Sequence, residues 1–105
     1  MGEIDKEKLL KNLADNLPLL RTKANLTQAQ LANTIGISRQ TLVAVETQKR
    51  KLSWNVFLAC ILVFQNNEET KSLLTFLNIY TDDLDAFIKK QAEIVNEREG
   101  QKNEF

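Results

Sequence analysis

Every extended apolar pattern in this chain has helical spacing, with apolar residues recurring three and four positions apart. Leu9, Leu10 and Leu13 share one side of a lead-in helix over residues 5–16. Leu31, Ala32 and Ile35 form a second stripe, and Leu42 and Val45, three apart, a third. From Val56 to Phe64 every residue is apolar, which predicts a helix covered on several sides. A bilayer crossing needs roughly 20 such residues, so this run is too short to span one. Two more stripes follow, Leu73, Leu74, Phe76, Leu77 and Tyr80, then Leu84, Phe87, Ile88, Ala92 and Val95.

Local signals mark where these helices start and stop. Thr27 with Gln30 has capping-box spacing, and Leu26 before it can staple onto Leu31. Ser38, Ser53, Asn67 and Thr81 are placed to cap the later helices. Gly36 stands where a helix must end, because a residue without Cβ enters the left-handed region at no steric cost. Pro18 predicts either a kinked first helix or a break near Asn16 with a new helix over residues 17–23. The sum is an all-α fold, a compact bundle of five or more helices. One domain over residues 1–105 is expected, with residues 67–98 completing the core and residues 99–105 as a flexible tail.

Composition removes most other classes. There is no histidine, so the commonest proton shuttle is missing, and Cys60 lies in an apolar run without a candidate base. No glycine-rich phosphate loop occurs, and no enzyme is expected. One cysteine without histidine excludes a zinc site and any internal disulfide. Asp82, Asp83 and Asp85 lack the loop glycine and distal glutamate of a calcium loop, and read as acids in a helix's first turn. No cofactor and no metal are expected. No basic stretch followed by an apolar core opens the chain, and Met1-Gly2 is followed at position 6 by lysine where a myristoylation site has Ser or Thr. A cytoplasmic chain without membrane attachment is the resulting expectation.

The stretch TQAQLANTIGISRQTLVAVE, residues 27–46, carries the chemistry. Two short helices joined through Gly36 have the layout in which the second helix enters a DNA major groove. With Leu42 and Val45 facing inward, Arg39, Gln40, Val43, Ala44 and Thr47 are left outside, as a convex cationic ridge. Arginine matches the two acceptors of guanine, glutamine the acceptor and donor of adenine, and Val43 and Ala44 suit thymine methyl groups. Formal net charge is zero, but the distribution is uneven. Residues 18–53 hold six basic residues (Arg21, Lys23, Arg39, Lys49, Arg50, Lys51) against one acid, Glu46. Residues 54–105 hold five basic and nine acidic residues. Positive charge thus gathers where phosphate contact needs it.

The segment LRTKANLTQAQLANTIGISRQTLVAVE, residues 20–46, resembles the repressor-type helix-turn-helix of the Cro and lambda-repressor-like, or XRE, group. The resemblance extends over roughly residues 13–64, and the helix-turn-helix core is expected over residues 13–66. It implies a small helical bundle that binds double-stranded operator DNA as a dimer. Position by position, it implies base readout by Arg39 and Gln40, with Val43 and Ala44 against the groove. It implies phosphate contacts by Gln28 and Thr41, and by Thr47 and Lys49 in the following loop. Thr27 beside Gln28, and Arg50 and Lys51 beside Lys49, join that phosphate set. The family positions of Arg21 and Glu46 tend to pair, which implies a partly buried ion pair. Val43 is unusually apolar for a groove-facing site, and Ala44 stands where a polar reader is frequent.

These features predict a sequence-specific transcriptional regulator, a repressor binding a palindromic operator as a homodimer. The apolar surface between Trp54 and Val95 exceeds what a monomer would hide, which points to that segment as the dimer interface. The rival is a protein-interaction module, with a toxin or another regulator as partner: an antitoxin whose C-terminal helices mask a toxin while its motif represses the shared promoter, or an adaptor that kept the fold and lost DNA affinity. An adaptor without DNA affinity would not need both the polar first turn at Arg39 and Gln40 and the basic loop from Lys49 to Lys51.

Overall fold

The computed structural model describes the backbone of residues 3–102 and the side chains of residues 3–94. Six helices and no strand occur among the described residues: α1 Lys6–Lys23, α2 Gln28–Ile35, α3 Arg39–Glu46, α4 Trp54–Gln65, α5 Glu68–Phe76 and α6 Asp82–Lys102. They divide into two compact units. One is Asp5–Ile79, with α1 to α5; the other holds Tyr80 onward, with α6, and residues 3–4. The Val95 side chain and residues 103–105 of the expected tail lie outside the described residues, as do Met1 and Gly2, while the backbone of residues 99–102 continues α6.

Within the first unit α1 is the axis, packing against α3, α4 and α5, while α2 packs on α3 and α4. Leu13, Leu17 and Leu20 of α1 meet a core that includes Leu31, Leu42, Phe57, Phe64 and Leu74, all fully buried. Each such side chain contributes about 1.5–3 kcal/mol relative to exposure. That burial explains why, of the two outcomes Pro18 left open, the break near Asn16 is absent. Pro18 costs an interior helix about 3 kcal/mol. The fully buried leucines on both sides of it offset that amount, so the helix runs on to Lys23. Asn16 stays within the helix, donating to the Asn12 carbonyl at 2.8 Å. At the N-terminal end Lys6 lies over the Trp54 ring, 4.8 Å from its centroid, and Trp54 stacks on Phe57 at 4.8 Å.

Of two further expectations, on α4 and α5, the first holds and the second needs correction. α4 is covered on several sides, by α1, α2 and α5: Phe57, Cys60, Ile61 and Phe64 are buried, while Leu62 is 68% exposed. On α5 only Leu74 of the stripe is buried; Phe76 is 80% exposed and Tyr80 lies beyond the helix end. The chain turns at Asn78, and Ile79, absent from the expected stripe, fills the core instead. In the second unit Leu84 is buried, Phe87 half-buried, and Ile88 and Ala92 exposed.

Four helix ends share one device. The chain enters the left-handed region at Asn25 (φ 63°), Gly36 (φ 82°), Gln48 (φ 64°) and Asn78 (φ 58°). In each case the amide of the next residue reaches back five positions: Leu26 to Arg21, Ile37 to Ala32, Lys49 to Ala44 and Ile79 to Leu74, at 2.8–3.1 Å. These bonds satisfy the carbonyls that a helix end leaves open. Only Gly36 has the expected glycine; asparagine tolerates the conformation, and Gln48 is held in it. Elsewhere the chemistry is quiet. Burial, with a smaller push from the Glu46 carboxylate, raises the Cys60 thiol to about 12.

A Cβ at position 36 would meet no atom within 4 Å. The cost of Gly36→Ala is therefore backbone strain alone, about 1–2 kcal/mol, read as a lower denaturation midpoint with an unchanged slope. In the second unit the Tyr80 hydroxyl donates to Asp85 Oδ1 at 2.7 Å. That bond, then partial burial and the Asp85 charge, push the phenol up to about 12, and the same bond lowers Asp85. Tyr80 is the sole tyrosine, so an alkaline absorbance titration reads it directly. The midpoint is expected near 12 and, in Asp85→Asn, closer to the ordinary value of 10.0.

Candidate nucleic-acid interface

The two motif helices form because their ends are closed by side chains. Thr27 Oγ1 accepts from the Gln30 amide at 3.0 Å while Gln30 Oε1 accepts from the Thr27 amide at 2.9 Å. Ser38 Oγ accepts from the Thr41 amide at 3.0 Å. Leu31, Ala32, Leu42 and Val45 are buried, so the inner faces of α2 and α3 are spent on the core. The opposite face of α3 is set by geometry: Arg39 and Gln40 are exposed in its first turn, and Thr41, Val43 and Ala44 are half-buried.

That outer face is not a plain convex ridge. Arg39, Gln40, Val43, Ala44, Thr47 and Lys49 frame an open recess of about 520 Å³. The left-handed turn at Gln48 is the cause. It folds the chain back so that the amides of Lys49 and Arg50 both donate to the Ala44 carbonyl, at 2.8 and 3.1 Å. Lys49 thereby stands beside the residues expected to read bases, and its charge suits the C-terminal end of α3.

A buried anchor sits behind this face. Arg21 Nε donates to Glu46 Oε2 at 2.7 Å, and Nη2 to Oε1 at 3.3 Å. The Arg21 and Glu46 side chains are 17% and 4% exposed. Arg21 Nη1 also donates to the Leu26 carbonyl at 2.9 Å, and Gln28 Nε2 to Glu46 Oε1 at 3.0 Å. The arrangement ties α1 and the head of α2 to the tail of α3. It also cancels the one acid of the basic segment inside the protein.

The remaining phosphate candidates differ in what they have free. Ser38 Oγ donates to Thr41 Oγ1, so the Thr41 hydroxyl proton is available to an acceptor. Thr47 spends its proton on the Val43 carbonyl at 2.8 Å, and Thr27 is exposed but engaged in capping. One Gln28 N–H is used on Glu46. No carboxylate pairs with Arg39, Lys49 or Arg50 among the described residues, whereas Lys51 Nζ lies 3.0 Å from Glu7 Oε1. Gln48, which the sequence reading passed over, donates to Asp15 Oδ1 at 3.1 Å and fixes the basic loop to α1. Its position two residues past the predicted α3 end was the only available signal.

The helix-turn-helix family model matches residues 19–64, which span α2, α3, α4 and the end of α1. That segment is a helix-turn-helix domain of the Cro and lambda-repressor-like, or XRE, group. The match supports a DNA-binding transcriptional regulator of the XRE type, a family that is not typically enzymatic. No curated protein and no solved structure gave a match. Among the described residues no helix is long and apolar enough to cross a membrane.

Arg21→Ala would leave the Glu46 carboxylate buried with Gln28 as its one remaining partner. Stripping one member from a buried pair costs about 3–5 kcal/mol, and the partial exposure of Arg21 places this case near the lower figure. Chemical denaturation measures it; a loss under about 1 kcal/mol would mean the pair behaves as a surface contact.

Proposed function

We propose that this protein is a repressor that places α3 in the major groove of a palindromic operator as a homodimer. The observation that carries the reading is the outer face of α3. Arg39 and Gln40 project from a capped first turn, beside Lys49, with the nearest acid, Glu46, neutralised internally. Arg39 and Gln40 read base edges, Val43 and Ala44 contact thymine methyl groups, and Thr41, Lys49 and Arg50 hold phosphates. Gln28, Thr27, Thr47 and Lys51 complete the backbone contacts. A twofold dimer supplies two such helices roughly 34 Å apart, one DNA turn. Support for the dimer comes from Leu62 and Phe76, large apolar side chains exposed on α4 and α5. Repression follows from occupancy alone, with no separate signal-binding domain required.

Selection of duplexes from a random pool by the purified protein tests this directly, and a recovered inverted repeat is the expected result. Against that site, Gln40→Ala is expected to weaken binding by about 1–3 kcal/mol and to relax preference at one base pair per half-site. Lys49→Ala is expected to weaken all duplexes alike and to flatten the dependence of log K on log salt by about one unit. Matching behaviour of the two variants would remove the division into readers and positioners.

A further inference from the structure

The basic loop after α3 is not simply open to solvent. Glu7 and Asp15, on α1, share a shallow depression with Gln48, Arg50 and Lys51. Lys51 Nζ and Glu7 Oε1 are 3.0 Å apart, both side chains 73% exposed. The loop's backbone is held: Leu52 is buried, Gln48 is bonded to Asp15, and the Lys49 and Arg50 amides are bonded to Ala44. The exposed Lys51 side chain is able to swing while the backbone stays in place.

We propose that Glu7 stands in for a DNA phosphate in the free protein, and that Lys51 exchanges this carboxylate for a phosphate when duplex binds. The proposal rests on the assignment of Lys51 to the phosphate-contacting loop. A carboxylate and a phosphate offer an ammonium the same kind of charged oxygen acceptor. The exchange is feasible because an exposed pair is weak and both groups are reachable by solvent. Glu7 therefore lowers duplex affinity without touching a base, and does so alike for every sequence. It tunes how long the protein dwells on DNA in general, while Arg39 and Gln40 set where it stops.

The test is a double-mutant cycle on the full chain: wild type, Glu7→Gln, Lys51→Gln and the double variant, titrated in dilute salt with a labelled duplex of arbitrary sequence. Glu7→Gln is expected to tighten binding about two- to fivefold, the range set by releasing one exposed ion pair. In the Lys51→Gln background the same change is expected to do little. An equal gain in both backgrounds would show Glu7 acting only by long-range repulsion and would overturn the exchange; so would no gain at all. If wild type binds no duplex in dilute salt, the nucleic-acid reading itself fails, an outcome distinct from binding without coupling. Both positions are exposed, so matched thermal midpoints are expected for all four proteins; a drop confined to the single variants would assign the pair to folding and overturn the proposal.

Discussion

Glu46 has both carboxylate oxygens occupied although it sits on the same short helix as the exposed Arg39 and Gln40. An ionised carboxylate at this depth costs several kcal/mol unless its charge and lone pairs are met. Here a guanidinium from α1 and an amide from α2 meet them, while the guanidinium's remaining arm takes the Leu26 carbonyl between those helices. Two helices thus converge on one side chain of a third. The angle at which α3 leaves the core depends on that convergence, because α2 and α3 are only eight residues each and bury few side chains. The anchor also has an electrostatic effect. With Glu46 cancelled internally, the surrounding cations act on the exterior without an opposing charge on their own helix.

The loops matter as much as the helices. A short helix cannot place a functional residue beyond its own end unless the chain turns sharply there. The left-handed turn at Gln48 returns Lys49 and Arg50 to the Ala44 carbonyl, so cations follow α3 at once and lie beside its outer face. The same turn at Gly36 aims α3 after α2, and those at Asn25 and Asn78 end α1 and α5. Non-glycine residues in this conformation are uncommon, and cost stability that the bonds at each turn must offset.

Much of this was legible in the sequence. Thr27 with Gln30, Gly36 and Ser38 gave the motif helices to within a residue, because capping is a local interaction between neighbours in the chain. The face carrying Arg39 and Gln40 followed from the spacing of Leu42 and Val45. Pro18 left two outcomes open, because the leucines that outweigh its local penalty are buried against helices distant in sequence. The α4 run announced cover on several sides, which α1, α2 and α5 supply, but composition did not mark the line at Leu62 that stays open. Gln48 and Asn78 carry no sequence mark for a left-handed turn comparable to glycine. The link from Gln28 to Glu46 joins residues eighteen apart and needs the packed helices to exist first.

The polar side chains around α3 fall into two physical kinds. Thr41 has a hydroxyl proton unspent, and Arg39, Lys49 and Arg50 have no carboxylate partner among the described residues. A phosphate or base that meets these groups replaces water and adds a bond. Gln28, Thr47 and Lys51 already hold intramolecular partners, so any contact they make with DNA either shares a donor or exchanges one bond for another. Exchange yields a smaller net gain than addition, since the bond given up is of similar strength. On the proposed reading, affinity therefore concentrates in the first kind. The second kind conveys DNA contact back into the fold: a phosphate on Gln28 competes with Glu46, and one on Lys51 competes with Glu7 on α1. The groups best placed to couple binding to the helical scaffold are thus those that gain least from DNA itself.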